Sequence, residues 1–264
     1  MTILWFVNTA GVSPDDGYQW RSLDGKTDPS EAKAVEYGSV AGRELLRLVT
    51  ASRPCLVLGR LQDRSFVLYV SGLLPTGAPT QGDSQNRPIT ATLLGIASKA
   101  TAPRPLVNAA AAALTGRLAE FLPLSWTANG HPEIDMTRDQ WLPPAPVSSA
   151  VPNVQLSHGA LVSPADAGRV ADELLSLRAD QMADFPIDRP LVLMTNALVP
   201  AELEKLRPWR AISPQVARRI AFPDEDGFWT RRRVLIAVLA GAVVVGGILI
   251  LILILRQLNQ TPGR

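Results

Sequence analysis

The chain reads as an α/β protein, a mixed sheet with helices packed on it, followed by one C-terminal transmembrane helix. Three observations predict this. Apolar runs of strand length (ILWFV, CLVLGRL, FVLYVSGLL, ITATLLGIA and LVLM) recur between stretches with helical signals. These runs alternate poorly between apolar and polar residues, which is the pattern of strands covered on both faces. Finally, residues 234–255 form a 22-residue run with no charged or polar side chain.

In chain order, residues 3–7 suit a buried strand, and residues 12–29, rich in Asp, Gly and Pro, suit a loop. A helix is expected over 30–51, with Ser30 as N-cap and Leu45, Leu46, Leu48 and Val49 as its apolar stripe. Residues 55–61 and 66–74 are spaced as a hairpin, and a third run covers 89–97. An alanine-rich helix over 106–122 should end at Pro123. Pro143, Pro144, Pro146 and Pro152 disfavour regular structure in 141–159, which reads as a connection between two halves of one domain. Beyond it, Ser163-Pro164 starts a helix, 191–194 is a short strand, Pro200 opens a helix to Leu206, and 209–213 is an edge strand.

The expected domains are a cytoplasmic α/β domain over 1–229, a basic flank over 230–233, the membrane helix over 234–255 and a short tail over 256–264. At 1.5 Å rise per residue, about 20 apolar residues cross a hydrocarbon core of roughly 30 Å. Arg231, Arg232 and Arg233 precede the run and only Arg256 and Arg264 follow it, so the Lys/Arg excess places the large domain in the cytoplasm, at the inner membrane. Phe228 and Trp229 stand where aromatic side chains meet the interface. The N-terminus lacks a basic region and a long apolar stretch, so no secretory signal is expected and the protein reads as tail-anchored. Ala237 with Gly241, and Ala242 with Gly246, have the small-xxx-small spacing that lets helices pack closely.

Of the 26 Lys and Arg, five fall at position 231 or later, leaving 21 against 24 Asp and Glu in 1–230. That balance lacks the basic excess of a nucleic-acid binder, and none is expected as partner. Cys55 is the only cysteine, and His131 and His158 are far apart, so neither a disulfide nor a metal site is expected. Phosphate-binding glycine loops and the common hydrolase and kinase signatures do not occur in the sequence. No catalytic residue and no cofactor is therefore assigned.

Three polar clusters are candidates for binding. Asp15, Asp16, Arg21 and Asp24 follow the first strand, where α/β proteins favour ligands. Asp63-Arg64-Ser65 and the segment from Asp83 to Arg87 each combine an acid with an arginine, and would suit a phosphate if they converged. Asn196 and the pair Trp209-Arg210 form the third: Asn196 suits a ligand contact or a turn, and the pair suits an interface anchor, although a tryptophan such as Trp209 is more often a core residue closing the edge of the sheet. The expectation is a non-catalytic binding, adaptor or sensor module on the membrane, with a protein partner there and a second copy as a further partner through the anchor. An enzyme acting on a nucleotide or phosphorylated compound is one alternative. The membrane component of a bacterial antiviral or toxin-like system, suggested by the Ala/Arg-rich composition, is the other.

Overall fold

A computed structural model of the chain describes residues 3–37, 54–61, 63–98, 103–135, 154, 156, 159–187 and 189–222. The expected helix beyond Tyr37, most of the connection over 141–159, and the whole flank and membrane segment, with Phe228, Trp229, Arg231, Arg232, Arg233, Ala237, Gly241, Ala242 and Gly246, lie outside the described residues. Among the described residues no helix is long and apolar enough to cross a membrane.

The α/β class is confirmed by one large mixed sheet. Its strands are β1 (Leu4–Thr9), β2 (Gln19–Ser22), β3 (Cys55–Arg60), β4 (Phe66–Leu73) and β5 (Ala91–Ala97). A separate hairpin follows, β6 (Leu124–Trp126) and β7 (Pro132–Ile134), and then β8 (Ala160–Val162), β9 (Pro190–Met194), β10 (Arg210–Ile212) and β11 (Ile220–Ala221). The nine-stranded order is β11-β8-β10-β9-β3-β4-β5-β1-β2. The strands from β3 to β2 pair antiparallel, β8, β10 and β9 pair parallel, and the antiparallel β3–β9 ladder joins the two sets. The carboxyl ends of β1, β4, β8, β9 and β10 consequently share one end of the sheet.

Helices α1 (Ser30–Tyr37), α2 (Arg104–Leu114), α3 (Leu118–Phe121), α4 (Ala167–Leu175), α5 (Ala179–Ala183) and α6 (Pro200–Leu206) cover it. One core gathers Val7, Leu58, Leu68 and Leu93 with Leu106 and Ala110 of α2 and Leu174 of α4. The other gathers Phe6, Val57, Val67 and Leu94 with Ala32 of α1 and Leu203 of α6. Poor alternation in β3, β4 and β5 thus has its cause: both faces are buried. The link from β8 to β9 runs through α4 on one face, and the link from β9 to β10 returns through α6 on the other.

Several local expectations are corrected. The alanine-rich helix is two helices, because Gly116 takes φ +72° after α2. Gly116 N–H donates to the Ala113 carbonyl and Arg117 N–H to that of Ala112, a Schellman ending that only the left-handed residue permits. At α1 the Asp28 carboxylate, not the Ser30 side chain, accepts a backbone bond, from Ser30 N–H at 2.8 Å. Ser163 does not cap by accepting: its hydroxyl donates to Asp166, and a 3₁₀ turn over Pro164–Asp166 leads into α4. Strand β10 is no edge, since it sits between β8 and β9, and β11 takes the margin. Strand β2 emerges inside the expected loop as the opposite margin, paired along β1.

Arg104 also shows how α2 and α4 are held together. Its guanidinium donates to the carbonyls of Leu175 and Leu177, both at 2.8 Å, satisfying groups left open at the end of α4. The small side chains of Ala109, Ala110 and Ala111, all buried, let α2 lie close to its neighbours.

Candidate functional site

At the carboxyl end of β1 three loops meet. The β1–β2 loop is folded on itself: Gly11 N–H donates to the Asp16 carbonyl and Asp16 N–H to that of Ser13. The Asp16 carboxylate turns back over Gly11, where a side chain's Cβ would lie 2.6 Å from Oδ2. From the β6–β7 hairpin, His131 brings Nδ1 to 2.6 Å from the same Oδ2. The turn carrying His131 is fixed by Thr127, whose N–H donates to the His131 carbonyl while its Oγ1 accepts from His131 N–H. Gly130 in that turn, at φ +78°, packs against Val12, with Pro79 of the β4–β5 loop beside it.

The Asp16 carboxylate can only accept when ionised, so His131 Nδ1 carries the hydrogen in this contact. That leaves Nε2 of a side chain 44% exposed, against 19% for Asp16. An imidazole oriented by a carboxylate through Nδ1 can accept a hydrogen bond at Nε2.

Arg21 stands on the adjoining strand, where the Asp16 charge acts on it. The Val7–Arg21 register puts it on the same sheet face as Val7, at the margin. It is half-buried, and its Nη1 is sealed from solvent without a hydrogen-bond partner. Burial lowers the guanidinium's pKa, and the Asp16 charge opposes that shift. An arginine remains charged under both influences. Close by, Thr9 Oγ1 donates to the Thr90 carbonyl at 3.0 Å, and Tyr18 Oη lies 3.3 Å from Thr90 Oγ1.

Of the expected binding residues, Asp16 and Arg21 belong to this site and Asp15 is an exposed neighbour on its loop. Asp24 lies beyond the far end of β2 and closes a turn, accepting from Ser22 and Thr27 hydroxyls and from Lys26 N–H. The two Asp-Arg segments do not converge. Asp63 and Arg64 sit in the β3–β4 hairpin, whereas Asp83 and Arg87 precede β5 at the other end of β4. The eight residues of β4 separate them by about 26 Å. Each is a self-contained turn: Asp63 Oδ1 accepts from Ser65 N–H, and Arg64 takes φ +68°. Asp83 accepts from Arg87 Nε and Nη2, at 3.0 and 2.7 Å, and from two backbone N–H groups. That contact holds the Asp83 carboxyl below the usual carboxylate range. Asn196 stands in the turn after β9, at the sheet end opposite Arg210. Trp209 and Arg210 are no surface anchor, being buried to 0% and 4% exposure.

Sequence reasoning missed His131, Tyr18 and Thr90. They come from other loops, and only strand order brings them to Asp16. Comparison with protein-family models, curated proteins and solved structures found no match.

Proposed function

We propose that the chain is a membrane-tethered binding module. Its α/β domain faces the cytoplasm, residues 234–255 span the inner membrane, and it is non-catalytic. The uninterrupted apolar run with its arginine triplet carries this reading, because 22 residues without a polar side chain match the length a spanning helix needs. The Asp16, Arg21 and His131 group supports a ligand-responsive role. It mixes a fixed carboxylate, an oriented imidazole and a half-buried guanidinium at a sheet end of the kind ligands favour.

Such a module acts by holding a protein partner at the membrane, or by reporting a bound ligand to it. The test is alkaline carbonate extraction of membranes holding the full chain, followed by protease treatment of sealed inverted and right-side-out vesicles. Resistance to extraction, with digestion only in inverted vesicles, is expected. Release into the soluble fraction overturns the tether, and digestion in right-side-out vesicles overturns the orientation.

A further inference from the structure

The unusual feature of the site is the state of Arg21. Every other arginine buried or half-buried among the described residues donates to an oxygen. Arg60 reaches the carbonyls of Ala183 and Phe185, and Arg104 those of Leu175 and Leu177. Arg189 reaches the Arg207 carbonyl, and Arg210 the Glu173 carboxylate. At Arg21, by contrast, Nη1 is out of reach of water and has no hydrogen-bond partner, in a side chain that is half-buried as a whole. A buried donor left without an acceptor is costly, so a half-buried arginine kept in this state at a surface margin is a candidate binding point for an acceptor.

The Asp16 charge acts on it, but Oδ2 is already taken by His131 and by Ser13 N–H. Trp126 Nε1, on the hairpin that carries His131, is a second buried donor without an acceptor.

We propose that Arg21 binds an oxyanion, the phosphoryl or carboxylate group of a soluble ligand, and that Asp16 and His131 tune the affinity. The guanidinium presents parallel N–H groups that match two oxygens of such a group. Asp16 opposes the incoming charge, and His131, bonded to its Oδ2, offsets Asp16. This proposal rests on the binding-module reading and names the ligand class of that site.

The experiment is thermal unfolding of the full chain in neutral detergent, at matched ionic strength, with inorganic phosphate or acetate as probe and Arg21→Gln as the main variant. A ligand that binds only the folded state raises the midpoint by mass action, whereas general salt effects act on both proteins alike. Wild type should show a saturable rise that Arg21→Gln lacks, with apparent affinity lowered about tenfold or more. Without ligand, Arg21→Gln should unfold at the same temperature as wild type or higher, since it removes a half-buried charge whose Nη1 has no acceptor; a purely structural arginine would give the reverse. Asp16→Asn, which keeps an oxygen for His131, should bind the same probe more tightly. A response to phosphate alone assigns a phosphoryl ligand, and a response to acetate as well admits carboxylates. The oxyanion site is overturned if neither probe gives a saturable rise in wild type, or if Arg21→Gln responds equally. Carbonate extraction is unaffected by either result, so failure here is distinct from failure of the tether.

Discussion

Glu173 on α4 and Arg210 at the first position of β10 form an ion pair with side chains only 8% and 5% exposed. Arg210 is enclosed further: Nη1 donates to the Trp209 carbonyl, and its guanidinium lies 4.2 Å from the centre of the Trp209 ring. Arg219 approaches the other Glu173 oxygen at 3.3 Å. Breaking one member of a buried pair leaves the other as an uncompensated charge, a loss of about 3–5 kcal/mol. Glu173→Gln should therefore shift the urea unfolding midpoint strongly. The double change Glu173→Leu with Arg210→Met should cost less than either alone. An additive loss would mean the pair is not coupled.

Gly95 in β5 is a packing requirement, not a conformational one. A Cβ there would lie 2.6 Å from Leu106 Cδ2 and closer still to the Trp5 ring. Helix α2 and the sheet meet at this point, and both are too densely packed to retreat freely. Gly95→Ala should destabilise by about 1–3 kcal/mol, with Trp5 fluorescence reporting the displaced ring. Unchanged stability would show that the contact yields at little cost.

The fold was legible where burial was extensive. Apolar runs exposed β1, β3, β4, β5 and β9, and Pro200 marked the start of α6. The strands that escaped are short and lean on their neighbours. Strand β2 offers one apolar residue in QWRS, β7 begins with Pro132, and β8 has three residues after Gly159. Their pairing comes from ladders with other strands, which local pattern does not encode. Strand β10 lies inside the sheet for the same reason: Arg210 reads as an edge residue until Glu173 is placed beneath it. Half of the site was visible in the same way. Asp16 and Arg21 share one loop and strand, but His131 reaches them only through the hairpin's docking.

Asp24 makes the acid limb of stability sensitive to one turn. Bonds from the Ser22 hydroxyl, then from the Thr27 hydroxyl and from the Thr27 and Lys26 N–H groups, hold its carboxyl well below the usual carboxylate range. A folded pKa below the unfolded value of about 3.9 contributes stability that is full above that pH and is lost as pH falls through the folded pKa. Solvent screening keeps the effect modest, because Asp24 is exposed. Asp24→Asn should flatten the fall in stability below about pH 4, and Thr27→Val should do so partly. An identical acid limb in Asp24→Asn would assign that limb to Asp28 and Asp83, whose carboxyls are held low as well.

The self-association expected of the proposed anchor can be separated from any association of the α/β domain. Gly241→Ile and Gly246→Ile both raise hydrophobicity, so lost insertion cannot account for lost assembly. Close approach of two backbones needs the small residues, and a β-branched side chain prevents it. The two glycines are five positions apart, which puts them about 140° apart around a helix, too far to share one narrow seam. A single packed seam should therefore respond to one substitution and tolerate the other. Crosslinking of the full chain in native membranes is the measurement. Ala237 shares a stripe with Gly241, and Ala242 with Gly246, so the sensitive glycine identifies the seam. Equal crosslinked yield from wild type and both variants would assign any dimer to the α/β domain and leave the anchor as a tether alone.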